Sequence, residues 1–176
     1  RSKVVGVLNS QFSEVVWFYP STGSTENDSY VSYNYMEGHW QVGTLSRTAG
    51  FDTGTFVYPN YVDATGIIYE HEVGYAYDSD TEVFAESGPI QLGNGDRMMV
   101  AKSLIPDEKT QGDVTATFKT RFFPNGTESS FGPFDMANPT SVRFQGRQVQ
   151  MRITGNTPTS WRVGTMRLDV VEGGRR

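Results

Sequence analysis

Cysteine is absent from these 176 residues. That removes disulfides, zinc–thiolate sites and cysteine nucleophiles together, so stability has to come from packing or from assembly. Long apolar runs are also missing: nothing approaches the ~18 residues that a membrane-spanning helix needs. Histidine is limited to His39 and His71. No segment keeps a helical period over three turns, which leaves strands as the regular element. There is no Gly-x-Ser-x-Gly elbow, no P-loop and no Gly-x-Gly-x-x-Gly. The start, Arg1 to Leu8, is basic but carries no long apolar stretch or small-residue cleavage site, so no secretory signal is expected. Without an initiator Met, the chain is expected to be an excerpt of a larger protein or a processed product.

What is present favours β structure. Tyr 9 and Phe 11 accompany many Val and Thr, and Gly 19 and Pro 8 supply frequent turns. Charge is uneven. The chain carries 15 Lys+Arg against 20 Asp+Glu, a net of -5. From Ser141 onward seven Arg face only Asp169 and Glu172, a net of +5; the preceding residues hold 8 basic and 18 acidic groups, a net of -10. Such asymmetry points to a nucleic-acid face, to acidic and basic surfaces that meet in an oligomer, or to arginines on the solvent side of strands.

One pattern, Trp-x-Val-Gly-Thr-(Leu/Met), occurs twice: Trp40 to Leu45 and Trp161 to Met166. Each follows an aromatic strand that runs into a turn, Val15 to Pro20 and Lys119 to Pro124. A repeated strand–turn–strand unit points to a modular all-β architecture. Strands are expected over Val4–Leu8, Ser13–Tyr19, Tyr30–Tyr35, His39–Leu45, Phe56–Tyr58, Gly66–Tyr77, Val83–Phe84, Ile90–Leu92, Arg97–Ile105, Val114–Phe123, Ser141–Thr154 and Ser160–Val171. Glu37-Gly38 and Gly93-Asn94-Gly95-Asp96 read as hairpin turns, and residues 124–139 as a long loop. Tyr30-Val31-Ser32-Tyr33-Asn34, followed by Trp40, resembles the inner hairpin of a kelch-type propeller blade. The expected fold is therefore all-β and propeller-like, with kelch-like blade hairpins and a terminal antiparallel sheet. It is read as a single unit over 1–176, with a candidate boundary near 78–87. At roughly 40–50 residues per blade, the length suits about four blades or part of a larger ring.

Chemistry is sparse. Glu70-His71-Glu72 would split across the two faces of a strand and lacks a third ligand, so His71 is expected to be packed or solvated. Asp78, Asp80 and Glu82 share an alternating face and could hold Ca²⁺, but lack the glycine and spaced Glu of an EF-hand loop. Acidic pairs distant in sequence could suit glycoside hydrolysis, yet 20 acidic residues make chance pairs inevitable. The aromatics Trp17, Phe18, Tyr19, Tyr30, Tyr33, Tyr35 and Trp40 read as core in preference to a sugar platform. Arg143 and Arg147 share a parity with Gln145 between them, and Arg152 falls on the other. With Arg162 and Arg167 they form the candidate set for contact with a subunit or with DNA. No catalytic residue, metal ligand or cofactor-binding residue is nominated, and no enzymatic activity is expected.

Several stretches together resemble the C-terminal part of a family of tailed-bacteriophage structural proteins. They are Ser13 to Ser21; Asn27 to Tyr35 with Trp40, Gly43, Thr44, Arg47 and Thr48; Gly146 to Ile153; Trp161 to Val170; and the closing Gly174-Arg175-Arg176. The similar proteins sit below the portal of short-tailed phages and are called tail nozzle, tail tubular or DNA-stabilisation proteins. The resemblance implies a propeller-based virion component, made in the host cytoplasm and resident in the tail. It implies a ring of copies, commonly six, around the DNA exit path, with neighbouring tail or portal proteins as partners, non-specific contact with packaged DNA and no membrane segment. The alternative is a carbohydrate-binding or receptor-binding β module of a phage tail.

Overall fold

A computed structural model describes residues 3–75, 82–93 and 97–174. Among the described residues there is no helix, and the strands lie in several antiparallel sheets. The chain divides into two compact units, Arg1–Gly74 and Tyr75–Arg176. The candidate boundary at Asp78-Ser79-Asp80, the Asp78 and Asp80 pair, and the Asn94-Gly95-Asp96 part of the turn lie outside the described residues.

The first unit opens with β1 (Val5–Asn9), β2 (Glu14–Tyr19), β3 (Ser29–Asn34) and β4 (His39–Thr44), an antiparallel meander in chain order. The β3–β4 turn is held by Asn34, whose Oδ1 accepts from the backbone N–H groups of Met36 (3.0 Å) and Glu37 (2.9 Å). Gly38 closes it at φ +74°, the left-handed region that glycine enters without penalty. A second sheet orders β5 (Ala49–Phe51), β6 (Asn60–Val62) and β7 (Ile68–Glu70). Val7, Val16, Phe18 and Tyr61 form the buried core, with Val5, Tyr30 and Leu45 packed on it.

The second unit holds β8 (Val83–Glu86), β9 (Ile90–Gln91), β10 (Met99–Ile105), β11 (Val114–Arg121), β12 (Ser129–Asp135), β13 (Thr140–Gly146), β14 (Gln148–Gly155) and β15 (Arg167–Glu172). One sheet runs β13-β10-β15 and the other β12-β11-β14-β8, with β9 also on β14. Strict alternation along β11 turns Val114, Ala116, Phe118 and Thr120 inward. They meet Ala101 and Leu104 of β10 and Val142 and Phe144 of β13 in one core. Phe118, fully buried, stacks on Phe144 with centroids 4.8 Å apart.

Several expectations need correcting. Residues 56–58 form no strand; β5 and β6, too short to show a period, flank them instead. Of the strand expected over 66–77 only Ile68–Glu70 forms within the described part. The long loop over 124–139 contains β12, hidden in sequence because Gly132-Pro133 interrupts its alternation. The expected single strand Ser141–Thr154 is two. At Arg147 the chain leaves the partner of β10 and becomes the partner of β11, so it turns a corner between sheets. Gly146 is needed there, since a β-carbon would come within 2.9 Å of Thr120. The two copies of the Trp-x-Val-Gly-Thr pattern also differ. The first is β4, whereas the second makes only an isolated bridge, Arg162 to Gln111, before β15. A single four-stranded meander is present, and no closed barrel or propeller ring forms among the described residues.

Candidate functional site

The five candidate arginines end in different settings. Arg143 projects from the outer side of β13, because Val142 and Phe144 occupy the core side. Arg167 does the same on β15, where Leu168 and Val170 pack inward. Both therefore lie on the outer face of the β13-β10-β15 sheet, as does Asp169. Arg162 is exposed, its backbone paired with Gln111. Arg147, at the corner, sits over Phe123 at 5.5 Å and lines a cleft of about 550 Å³ with Met98, Phe122, Phe123 and Gln145. Arg152 is held inside its own unit. It donates to Glu82 (2.7 Å) and Glu86 (3.0 Å) and covers the Phe84 ring at 3.6 Å. The structure thus joins Arg143 with Arg167 on one face and ties Arg152 into a separate network.

The aromatic residues of the first unit divide by parity. Phe18 and Tyr30 lie on the core face of the meander, with Val5 and Val7. Trp17, Tyr33 and Trp40 lie on the opposite face, as the register pairs Tyr33 with Val15 and Trp40. Trp17 and Trp40 stack at 6.0 Å, and Tyr33 meets Trp40 at 4.6 Å. This second face is also apolar and stays open: Trp40 is 64% exposed and Val42 74%, with Leu8 beside them. The expectation of core packing holds for Phe18, while Trp40 and Tyr35 are exposed.

A polar pocket interrupts the core face at one end of the meander. Asn9 and Glu14 are direct cross-strand partners on the parity of Val7 and Val16. Asn9 Nδ2 donates to Glu72 Oε1 (3.1 Å), and Gln41 Nε2 donates to Glu14 Oε1 (2.7 Å). The next residue, Ser10, gives its backbone N–H to both carboxylate oxygens of Asp52 at 3.2 Å. Burial, and then the charge of Glu72, raise the Glu14 carboxyl above its ordinary value. Burial also pushes the Tyr61 phenol up to about 12, helped by Glu72, Asp52 and Glu14. Glu14 also borders an open cleft of about 440 Å³ with Ser13, Asn34, Glu37 and His39.

His71 is packed beside this pocket. Its ring lies 4.2 Å from that of Tyr61, and its Nε2 accepts from Arg47 Nε at 2.9 Å. Burial, and then the Arg47 charge, lower the imidazole to about 4, so it is neutral with its proton on Nδ1. Arg47 covers Tyr69 at 4.1 Å, and Tyr69 donates to Asp63 at 3.0 Å. With its Nε2 engaged in this way, His71 is a packing residue.

No protein-family model matches the chain, and no curated protein sequence matches it. The site residues that sequence reading passed over are Asn9, Glu14 and Ser32. Each occupies the core parity of its strand beside Val, Phe or Tyr, and that misplaced polarity was the available signal.

Proposed function

We propose that this chain is a non-enzymatic structural component of a phage tail or head–tail connector, assembling into a ring around the DNA exit path. The observation that carries the assembly part is the open apolar face of Trp17, Tyr33, Trp40 and Val42. A sheet apolar on both faces is stable in water when both are covered. One face of the β1–β4 meander has its core, and the other suits a neighbouring sheet, as in a propeller-like blade. Charge supports head-to-tail contact: residues 1–74 hold 3 basic and 8 acidic groups, a net of -5, against the net of +5 from Ser141 onward. In this reading Arg143, Arg162 and Arg167, the exposed members of the set, face an acidic neighbour or the DNA backbone. The virion assignment rests on the sequence resemblance.

Light scattering at low and high salt tests it. The expected result is a mass several times the 19.6 kDa of one chain, reduced at high salt. A monomer at every salt concentration would overturn the ring. A second reading, a carbohydrate-binding tail module, draws on the same exposed rings, which also suit a sugar face. Glycan binding that is lost in Trp40→Ala would favour it.

A further inference from the structure

We propose that the outer face of the β13-β10-β15 sheet, with the aromatic cleft at its end, is a binding surface for single-stranded nucleic acid. Two independent observations meet there. The first is a group of unpaired cations. Arg143 and Arg167 share this face, and a third cation joins them. The register of β10 shifts between Ala101 and Ser103 against both of its neighbours. Ala101 and Leu104 both stay in the core, so the shift leaves Lys102 exposed on the outer side, level with Arg143. Lys102, Arg143 and Arg167 form no ion pair among the described residues, although Asp169 shares their face. Cations left unpaired on an open sheet suit the phosphates of a polyanion.

The second observation is the cleft of about 550 Å³ beside them. Gln145 links the two: it projects outward two residues from Arg143 and also lines the cleft. Phe122 and Phe123, from the aromatic stretch that runs into Pro124, form an apolar wall with Met98. They are 37% and 61% exposed, so ring surface is open to a stacking partner. Their setting is fixed by the backbone. Gly126 N–H donates to the Phe123 carbonyl at 2.9 Å. Arg147 N–H donates to the Arg121 carbonyl (3.2 Å), and the Arg147 carbonyl accepts from Leu92 N–H (2.8 Å). The Arg147 guanidinium lies over Phe123. It carries five N–H donors, enough to meet a phosphate alongside its contacts within the protein. No carboxylate lines the cleft among the described residues, and Glu128 lies 3.8 Å from Arg121. The rings select the single strand. Base faces in a duplex are stacked on one another, whereas an unpaired base offers its face to an aromatic side chain. An acidic protein surface would engage the cations and leave this wall unused. The proposal takes the nucleic-acid side of the reading given above for Arg143 and Arg167.

Fluorescence anisotropy of the whole chain with a labelled oligothymidine of about 15 nucleotides tests the surface. Binding is expected with a Kd of about 100 µM or tighter at ~50 mM NaCl, and it should weaken as salt rises. A duplex of equal length should bind less tightly. Phe123→Ala is expected to weaken binding at least about fivefold, as loss of one stacked base requires. Lys102→Gln should lower the slope of log K against log salt by about 0.7. Both side chains are exposed, so both variants should fold. Trp40→Ser, in the other unit, is expected to bind as wild type does. Absence of binding, a duplex bound as tightly as the single strand, an unchanged Kd in Phe123→Ala, or a loss confined to Trp40→Ser would each overturn the proposal. Light scattering without oligonucleotide reads the ring separately, so either reading can fail alone.

Discussion

Trp40 stacks on Trp17 across the outer face of the β1–β4 meander, with 6.0 Å between ring centroids, and Trp40 remains 64% exposed. The pair is half a contact. Its inner ring is braced by Gly6, where a β-carbon would sit 3.2 Å from the Trp17 indole, and its outer ring faces solvent. An aromatic pair at a surface contributes about 0.5–1.5 kcal/mol. Trp40→Ser is therefore expected to cost the isolated chain about 1 kcal/mol or less, while lowering the mass seen by light scattering to that of a monomer. An undiminished mass in this variant would move the assembly surface elsewhere.

Glu86 joins two cations on the outer face of the β11–β14 pair. It accepts from Lys119 (2.7 Å) and Arg152 (3.0 Å). Glu86→Ala leaves both cations partly desolvated without their partner, and a loss of about 1–2 kcal/mol is expected in urea unfolding, solvent screening keeping it below the cost of a fully buried pair. The hydrogen bond from Lys119, followed by its charge and by Arg152, lowers the Glu86 carboxyl below its ordinary value. A carboxylate lowered in the folded state contributes stability that is present above the unfolded pKa and is lost as pH falls through the folded one. Wild type should thus lose stability as pH drops below the ordinary glutamate value of 4.5, and Glu86→Gln should lose less over that interval. Parallel pH profiles would contradict the assignment.

Gly164 and Gly43 hold the same place in the two copies of the repeated motif and answer to different neighbours. A β-carbon on Gly43 would come within 2.6 Å of the Tyr30 ring, and one on Gly164 within 1.9 Å of an Asp107 carboxylate oxygen. Asp107 also accepts from the backbone N–H of Thr165 at 2.9 Å. Alanine at either position is expected to destabilise by about 1–3 kcal/mol. The routes differ: Gly164→Ala should be partly relieved by Asp107→Ala, whereas Gly43→Ala should not. A double-mutant cycle in chemical denaturation reads the coupling.

The β character, the β1–β4 meander and the turn at Gly38 were legible in the sequence, because alternation and turn residues act over a few positions. The shared face of Arg143 and Arg167 was not: the sequence set Arg143 beside Arg147, and β13 ends at Gly146, before Arg147. The identity of the two motif copies was not a guide to structure. Trp40 has Tyr33 opposite it in a ladder, while Trp161 lies where the chain pairs with Gln111 alone. Local sequence specifies a strand only when a partner edge is available, and that edge is supplied by distant residues.

By itself, then, the sequence determined an all-β chain without cysteine chemistry, with an acidic first part and a basic end. Tertiary structure decided which faces those strands show. It put Trp40 in solvent and Phe18 in a core, turned Ser141–Thr154 from one strand into a corner between two sheets, and gave Arg152 to Glu82 and Glu86. It also brought Glu72, 63 residues further along the chain, within hydrogen-bond distance of the buried Asn9. Strand pairing between distant residues makes these choices, because which face is buried depends on what another part of the chain lays against it.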